Sequence, residues 1–199
     1  MRLPTCASML VLIALFADAD HAAAGELAAD PTTFKAVLAT LQPGDTLRLA
    51  AGDYPHFSIN GLAGTDAAPI VITGPSSGAA AIVHADPGPC CNTIEMSNSS
   101  YLTLAYLTID GGNTDGAFGL SAAGGPSHHI TVEHCDFLNH LGGQQTVAIS
   151  TKTAAWNWTI RNNRIIGAGT GMYLGNSDGT DPFVASVIEG NLIKDTIGY

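Results

Sequence analysis

YLTLAYLTI (101–109) sets a pattern that returns three times at a fixed interval of 28 residues. The later copies are HITVEHCDF (129–137), NWTIRNNRI (157–165) and ASVIEGNLI (185–193). Two apolar series keep this register: Leu104, Val132, Ile160 and Ile188, and Ile109, Phe137, Ile165 and Ile193. A constant period of about 20 to 50 residues is typical of stacked repeats. The pattern therefore predicts a solenoid with coils of about 28 residues.

The repeated unit has the alternation of β-strands and not the spacing of helices. Leu102 and Leu104 flank Thr103, and the same apolar, Thr, apolar order recurs in the next two copies. A period of two is that of a strand with one buried face. A second strand precedes each copy, with two apolar residues flanking an outward one: TIEMS (93–97), AFGLS (117–121), TVAIS (146–150) and GMYLG (171–175). The fold class is thus all-β.

Each copy also has a short kink between its two apolar segments. Asn163 and Asn191 occupy the same place in that kink, where Leu107 and Cys135 stand in the earlier coils. Asn tolerates left-handed backbone and can bond to a neighbouring coil. We expect left-handed backbone at these asparagines and a partial hydrogen-bonded ladder.

The opening segment predicts an amphipathic helix followed by short strands. Asp30 is a suitable N-cap, Pro31 suits the first helical position, and Pro43 follows the helix. Such a helix can cover the open end of the first coil. The strands that follow are expected at 46–50, 56–59, 70–73 and 81–84. They fit a sandwich as well as a solenoid, and the later 28-residue period favours the solenoid.

With these motifs the chain resembles the secreted right-handed parallel β-helix superfamily of pectate lyases, polygalacturonases, alginate lyases and chondroitinase B. PGDTLRLAAGDY (43–54) and APIVITG (68–74) resemble the opening of its lyase-like branch, that of alginate lyases and chondroitinase B. The resemblance implies a right-handed single-stranded parallel β-helix over 25–199 with an N-terminal capping helix. No polar capping segment follows Ile193, which predicts that the chain is a C-terminally incomplete piece.

Residues 1–24 are expected to be a signal peptide. Arg2 precedes an apolar run, and Ala22 to Ala24 form a small-residue cleavage site. We therefore expect a secreted protein, extracellular or periplasmic, that is not held in a membrane after cleavage. Three cysteines remain, Cys90, Cys91 and Cys135. They leave open one disulfide with one free thiol, or a buried Cys135 that packs as a small hydrophobe.

The formal net charge is −10 at pH 7, so the long-range field repels polyanions. Nucleic acid is therefore excluded as a partner, and we expect a polysaccharide instead. An acidic polysaccharide would need a local basic site or a bridging Ca²⁺. We expect a monomer for the full-length protein, and no cofactor beyond this possible Ca²⁺.

The resemblance implies a substrate along the outer face of the strand that begins with TIEMS. Its outward residues are expected to be Glu95, Gly119, Ala148 and Tyr173, and two places further Ser97, Ser121, Ser150 and Gly175. Lys152 is the basic residue of that face and Tyr173 its phenol, so both are candidate catalytic residues. Tyr173 is expected to follow Ala148 in this ladder, and Lys152 lies four residues beyond Ala148. A loop must therefore bring Lys152 close to Tyr173. A solvated loop lysine is the competing interpretation.

Further candidates surround these two residues. Glu95, Asn176 and Asp178 are candidate substrate-binding residues, and no metal ligand is assigned. Asp178 and Asp181 belong to an oxygen-rich loop that fits Ca²⁺ or a simple turn. Candidate general bases on loops are His128, His129 and His140.

Three functions compete at this point. The first is a lyase that cleaves an acidic polysaccharide by β-elimination. The second is a non-catalytic glycan-binding or cell-surface module. The third, a glycoside hydrolase, is suggested by Asn113-Thr114-Asp115-Gly116, which matches one polygalacturonase motif. The other motifs of that family are missing, so this segment is expected to be a turn.

Overall fold

A computed structural model describes residues 24–86, 88 and 92–197. Residues 1–23 of the expected signal peptide, Cys90 and Cys91 lie outside the described residues. One short helix, α1 (Phe34–Leu38), occurs in this part of the chain. The strands in chain order are β1 (Glu26–Ala29), β2 (Thr46–Leu49), β3 (Gly52–Tyr54), β4 (Phe57–Asn60), β5 (Ile70–Thr73), β6 (Ala81–His84), β7 (Ile94–Ser97), β8 (Ser100–Ala105), β9 (Leu107–Asp110), β10 (Leu120–Ala122), β11 (Ser127–Glu133), β12 (Asp136–His140), β13 (Val147–Thr151), β14 (Ala155–Trp156), β15 (Thr159–Arg161), β16 (Arg164–Ala168), β17 (Thr170–Leu174), β18 (Phe183–Val184), β19 (Val187–Glu189) and β20 (Leu192–Lys194).

The strands form three parallel sheets that the chain visits in turn. Sheet A follows the order β1-β2-β5-β8-β11-β14-β18, and in addition β15 pairs with β11 and β19 pairs with β15. Sheet B follows β20-β16-β12-β9-β6-β3, and sheet C follows β17-β13-β10-β7-β4. Each coil contributes to sheet A, then B, then C, so equivalent strands of successive coils are neighbours. The predicted parallel β-solenoid with coils of about 28 residues is confirmed.

The two predicted apolar series line the interior. Val132 pairs in register with Leu104 on one side and Ile160 on the other, and Ile160 pairs with Ile188. The second series stacks in the same way in sheet B. Burial is complete except in the last described coil, where Ile188 and Ile193 are 49% and 46% exposed. The interior is thus a continuous apolar column.

The tight corner between sheets A and B differs from the expectation in one respect. Left-handed backbone falls one place before the two asparagines, at Tyr106, His134, Asn162 and Gly190. Asn163 instead uses its side chain between coils: its Oδ1 accepts the Cys135 amide at 2.9 Å, and its Nδ2 donates to the carbonyl of Val132 at 2.9 Å. Cys135 is buried and free, which confirms its packing as a small hydrophobe. Burial raises the pKa of its thiol to about 12.

The segment before the first complete coil contains two strands that the sequence did not predict. β1 precedes the helix and pairs with β2, and β3 lies between the strands predicted at 46–50 and 56–59 and pairs with β6. Asp30 Oδ1 accepts the amides of Thr32 and Thr33 at the start of the helical segment. The Phe34 side chain is buried and meets the rings of Tyr54 and Phe57 edge to face. That α1 closes the end of the solenoid stays a prediction.

A second left-handed corner holds a cluster of rings at the start of β11. Nδ1 of His128 lies 2.8 Å from Nδ1 of His129, whose Nε2 lies 2.9 Å from Nδ2 of Asn157. An amide nitrogen can only donate, so Nε2 of His129 accepts and its proton lies on Nδ1, between the two rings. Tyr101 stacks on His129 and Trp156 stacks on His128. The Nδ1–H of His129 therefore donates to Nδ1 of His128.

This cluster predicts a loss of stability in mild acid. Burial and then the neighbouring His129 lower the pKa of His128 below its ordinary value, and burial likewise lowers that of His140. The unfolded chain therefore takes up protons at higher pH than the folded protein. Stability is complete above the ordinary histidine pKa of about 6.5 and decreases as pH falls below it.

The measurement is the melting temperature of the wild-type protein between pH 7.5 and pH 5. The His128→Asn variant should lose less over this interval than the wild type. His134→Asn is the control, because it removes a histidine outside this cluster at a left-handed position where Asn tolerates the backbone. A wild-type melting temperature that stays constant or rises towards pH 5 would contradict this interpretation.

Candidate functional site

The outer face of sheet C carries a different ladder from the predicted one. Glu95 pairs with Ser121, Ser121 with Ser150, and Ser150 with Tyr173. Gly119 and Ala148, which were expected in these places, each lie two residues earlier. β10 begins only at Leu120, so the alignment is shifted by two residues. A shift of two residues leaves the alternation unchanged, so the pattern alone could not detect it. The predicted outward placement of Gly119 and Ala148 is wrong, because Ala148 is fully buried in the core and a Cβ at Gly119 would meet the buried Phe137 and His140.

The corrected register places Lys152 beside Tyr173 without help from a loop. Lys152 directly follows β13, two residues after Ser150, and its amide donates to the carbonyl of Ala122 at 2.8 Å. Its Nζ lies 5.3 Å from the ring centroid of Tyr173 and 5.6 Å from that of Phe118. The two predicted catalytic residues are therefore brought together.

These side chains border a pocket of about 440 Å³. Its lining residues are Phe118, Gln144, Gln145, Val147, Lys152, Thr170, Tyr173 and Ser177. The sequence predicted an inward Phe118, because it flanks Gly119 in AFGLS. It lies outside β10 in the structure, so the alternation of that strand does not apply to it. No signal in a single sequence distinguishes this position from a core one.

The electrostatics of the pocket are those of an unpaired cation on an acidic protein. Among the described residues, no carboxylate lies within ion-pair distance of Lys152. Its ammonium is positioned by the faces of two rings, and cation–π attraction of this kind contributes roughly 0.5–1 kcal/mol at exposed sites. The charge thus remains available to an anionic ligand.

Glu95 lies further along the same face. Its carboxylate is 3.3 Å from Ser58 Oγ and 3.4 Å from Asn92 Nδ2. Oδ1 of Asn92 accepts the amide of Phe118 at 3.0 Å. Asn92 therefore connects the surroundings of Glu95 to one wall of the Lys152 pocket.

Asn176 and Asp178 are engaged within their own turn. Nδ2 of Asn176 lies 3.3 Å from Asp181 Oδ2, and Asp178 Oδ1 accepts the amide and the hydroxyl of Thr180 at 2.9 and 2.7 Å. The amide and hydroxyl of Thr180 lower the pKa of Asp178. Ser177 is the residue of this turn that lines the pocket. Substrate binding by Asn176 and Asp178 stays a prediction.

The structure provides no preformed cation centre for the expected Ca²⁺. Within the described ranges, no group of three or more His, Cys, Asp or Glu side chains could hold a metal ion. Ca²⁺ therefore stays a prediction, one that would depend on ligands from the polysaccharide itself.

The three candidate histidine bases are not on loops around the pocket. His128 and His129 belong to β11 in sheet A, and His140 ends β12 with its side chain buried. His140 Nε2 is 3.3 Å from the carbonyl oxygen of Ile109, inside the coil. None of the three lines the Lys152 pocket.

Asn113 to Gly116 form a turn, as expected. Asn113 has left-handed backbone with φ of 54°, and the Thr114 amide donates to the carbonyl of Gly111 at 2.9 Å. The Lys152 pocket has no carboxylate in its lining. A pair of carboxylates for glycoside hydrolysis is therefore missing from this site.

Comparisons with known proteins give a likeness of fold. No family model and no curated protein matches the chain. The alginate lyase from Paenibacillus sp. str. FPU-7 superposes with a TM-score of 0.68 at 20% identity, over 85% of this chain and 58% of that one. A PL6 family alginate lyase superposes with a TM-score of 0.31 at 13% identity, over 88% of this chain and 39% of that one. The chain thus has the β-helix fold found in an alginate lyase and spans 58% of that protein's length. The resemblance to the lyase-like branch is confirmed at the level of fold.

Proposed function

We propose that this chain belongs to a secreted polysaccharide lyase that cleaves an acidic polysaccharide by β-elimination. The observation that carries the proposal is the open pocket in which the Lys152 ammonium lies over the Tyr173 ring. The likeness of fold to an alginate lyase supports it. Secretion rests on residues 1–24 alone, and a monomeric state is proposed with it.

β-Elimination at a uronate has three requirements that this pocket can address. The carboxylate must be neutralised so that the C5 proton becomes acidic, that proton must be removed, and the departing oxygen must be protonated. We assign the carboxylate and the negative charge that develops on it to the Lys152 ammonium. We assign the proton transfers to Tyr173: its oxygen takes the C5 proton as a phenolate, and the phenol formed gives that proton to the departing O4. The C5–H and C4–O bonds break, and a C4=C5 double bond remains in the product.

Tyr173 also has a binding role in this proposal. Its ring lines the pocket, so a sugar ring can contact the phenol there. The neighbouring Phe118 ring fixes Lys152 from the other side. The long-range charge of −10 opposes binding of a polyanion, so the local ammonium is the main attraction.

A non-catalytic glycan-binding module is the second candidate. It is favoured by the polar groove around Glu95, where side chains can hydrogen-bond a sugar, and by the lack of a histidine in the lining of the Lys152 pocket. A glycan-binding module would bind the polysaccharide on the same surface without cleaving it.

The test is incubation of the purified protein with alginate, pectate and chondroitin, followed by absorbance of the unsaturated uronate. We expect this absorbance to rise with one of the three. New reducing ends without the absorbance would indicate a hydrolase instead. Binding without either product would indicate the glycan-binding module and contradict the lyase.

A further inference from the structure

The Glu95 carboxylate is an unpaired anion on the same face as the Lys152 cation. Glu95 pairs in register with Ser58 on one side and Ser121 on the other, and both side chains are small. Its two hydrogen bonds, to Ser58 and Asn92, are with neutral groups. Within the described residues, the ion pairs of the protein do not include Glu95.

The surroundings of Glu95 form a groove of about 350 Å³. Its polar lining residues are Ser58, Asn60, Asn92, Glu95, Ser97 and Ser121. A second polar pair strengthens its floor, because Ser97 Oγ donates to Asn60 Oδ1 at 3.0 Å. The groove therefore offers hydroxyl, amide and carboxylate groups to a ligand, and no cation.

The groove and the Lys152 pocket are close enough for one oligosaccharide to contact both. Glu95 lies on β7 and Lys152 follows β13, with β10 between them. Two strand spacings correspond to about 10 Å along the axis of the coil. Asn92 and Phe118 connect the two places through a hydrogen bond of 3.0 Å.

We infer that Glu95 is a specificity-determining residue that selects an uncharged sugar unit next to the one bound by Lys152. The inference rests on the proposed function, because it concerns the same ligand. A sugar carboxylate over Glu95 would meet a like charge at short range, whereas a hydroxyl group would donate a hydrogen bond to it. The ligand class is therefore an acidic polysaccharide whose charge is interrupted, by neutral residues or by esterified uronates.

The experiment measures binding and is independent of turnover. Oligosaccharides of alginate, pectate and chondroitin, each unesterified and partly methyl-esterified so that free and esterified uronates occur in one chain, are titrated calorimetrically into the wild type and two variants. The variants are Glu95→Gln and Glu189→Gln. Glu189 provides the matched control, because the same change removes one charge from an exposed residue of sheet A.

The wild type should bind the esterified form of its ligand more tightly than the unesterified form. Glu95→Gln should reduce this preference about fivefold, mainly by tightening the unesterified form, and Glu189→Gln should leave it unchanged. The difference should shrink at high salt, because exposed charges are then screened. An equal preference in the wild type and Glu95→Gln overturns the inference. If the wild type binds none of the six ligands, both the inference and the proposal that the ligand is a glycan are overturned. If it binds with the expected preference but forms no unsaturated product, only the proposed lyase activity is overturned.

Discussion

Replacing Val132 by Asp should prevent the chain from folding at ordinary temperature. Val132 is fully buried in sheet A, between Leu104 of the preceding coil and Ile160 of the next. Every lysine and arginine in the described part of the chain has an exposed side chain, so no cation can reach a carboxylate at this position. We expect a loss of about 4 kcal/mol or more, which is a large part of the stability of a single domain.

The measurement is thermal or denaturant unfolding followed by circular dichroism. Thr131→Asp is the matched control, because Thr131 is the next residue of the same strand and is half-buried on the outer side. This control should lose about 1 kcal/mol or less, the range of strand preferences at partly exposed positions. Equal melting temperatures for Val132→Asp and the wild type would contradict the assignment of the interior column.

The fold could be predicted from the sequence because the interior of a solenoid is narrow and repetitive. Leu104, Val132 and Ile160 occupy one column, so each coil must supply an apolar residue at the same interval. The corner between sheets A and B has no space for insertions, and this preserves the interval over four copies. The two strands β1 and β3 were missed because no repeat reaches the opening coils.

The register of sheet C could not be predicted for the opposite reason. The segments that lead into β10 and β13 vary in length, so no interval fixes which residues are opposite one another. An alternating pattern is unchanged by a shift of two residues, and Ser121 could not be distinguished from Gly119 as the partner of Glu95. Phe118 was predicted to point inward for the same reason. It lies just outside β10, where the alternation of a strand does not apply.

The left-handed corners show a similar limit. Asn163 was expected to adopt the left-handed backbone itself, but Asn162 does so and Asn163 bonds to the neighbouring coil. The corner positions also accept Tyr106 and His134, whose rings stack at 5.0 Å. Interactions between coils therefore outweigh the backbone preference of the single residue.

The candidate site was predicted by residue type, and its geometry depended on the register. Lys152 and Tyr173 were selected as the cation and the phenol of one face. Only the pairing of Ser150 with Tyr173 shows that Lys152 is next to that phenol on the outer surface. The Phe118 ring contacts the Lys152 ammonium as well, so the ammonium has a defined position between the rings of Phe118 and Tyr173.

This geometry determines which substitution should have the largest effect on activity. A cation that binds the substrate carboxylate more tightly as charge develops on it contributes to turnover and not only to binding. The ammonium of Lys152 is exposed and makes no ion pair within the described residues, so its removal should cost little stability. An effect of Lys152 on activity can therefore be separated from an effect on folding.

Lys152→Ala should lower kcat about 10²- to 10³-fold on the polysaccharide that the wild type cleaves, with little change in melting temperature. Tyr173→Phe keeps the ring beside Lys152 and removes only the hydroxyl, so it should lower kcat by about 10² or more and change KM little. Lys194→Ala is the matched control, because Lys194 is an exposed lysine of sheet B, and it should retain wild-type turnover. The assay is the rate of unsaturated uronate formation under saturating substrate. Wild-type kcat in Lys152→Ala would show that the negative charge of the transition state is stabilised by groups other than this ammonium, and the assignment of Lys152 would then be wrong.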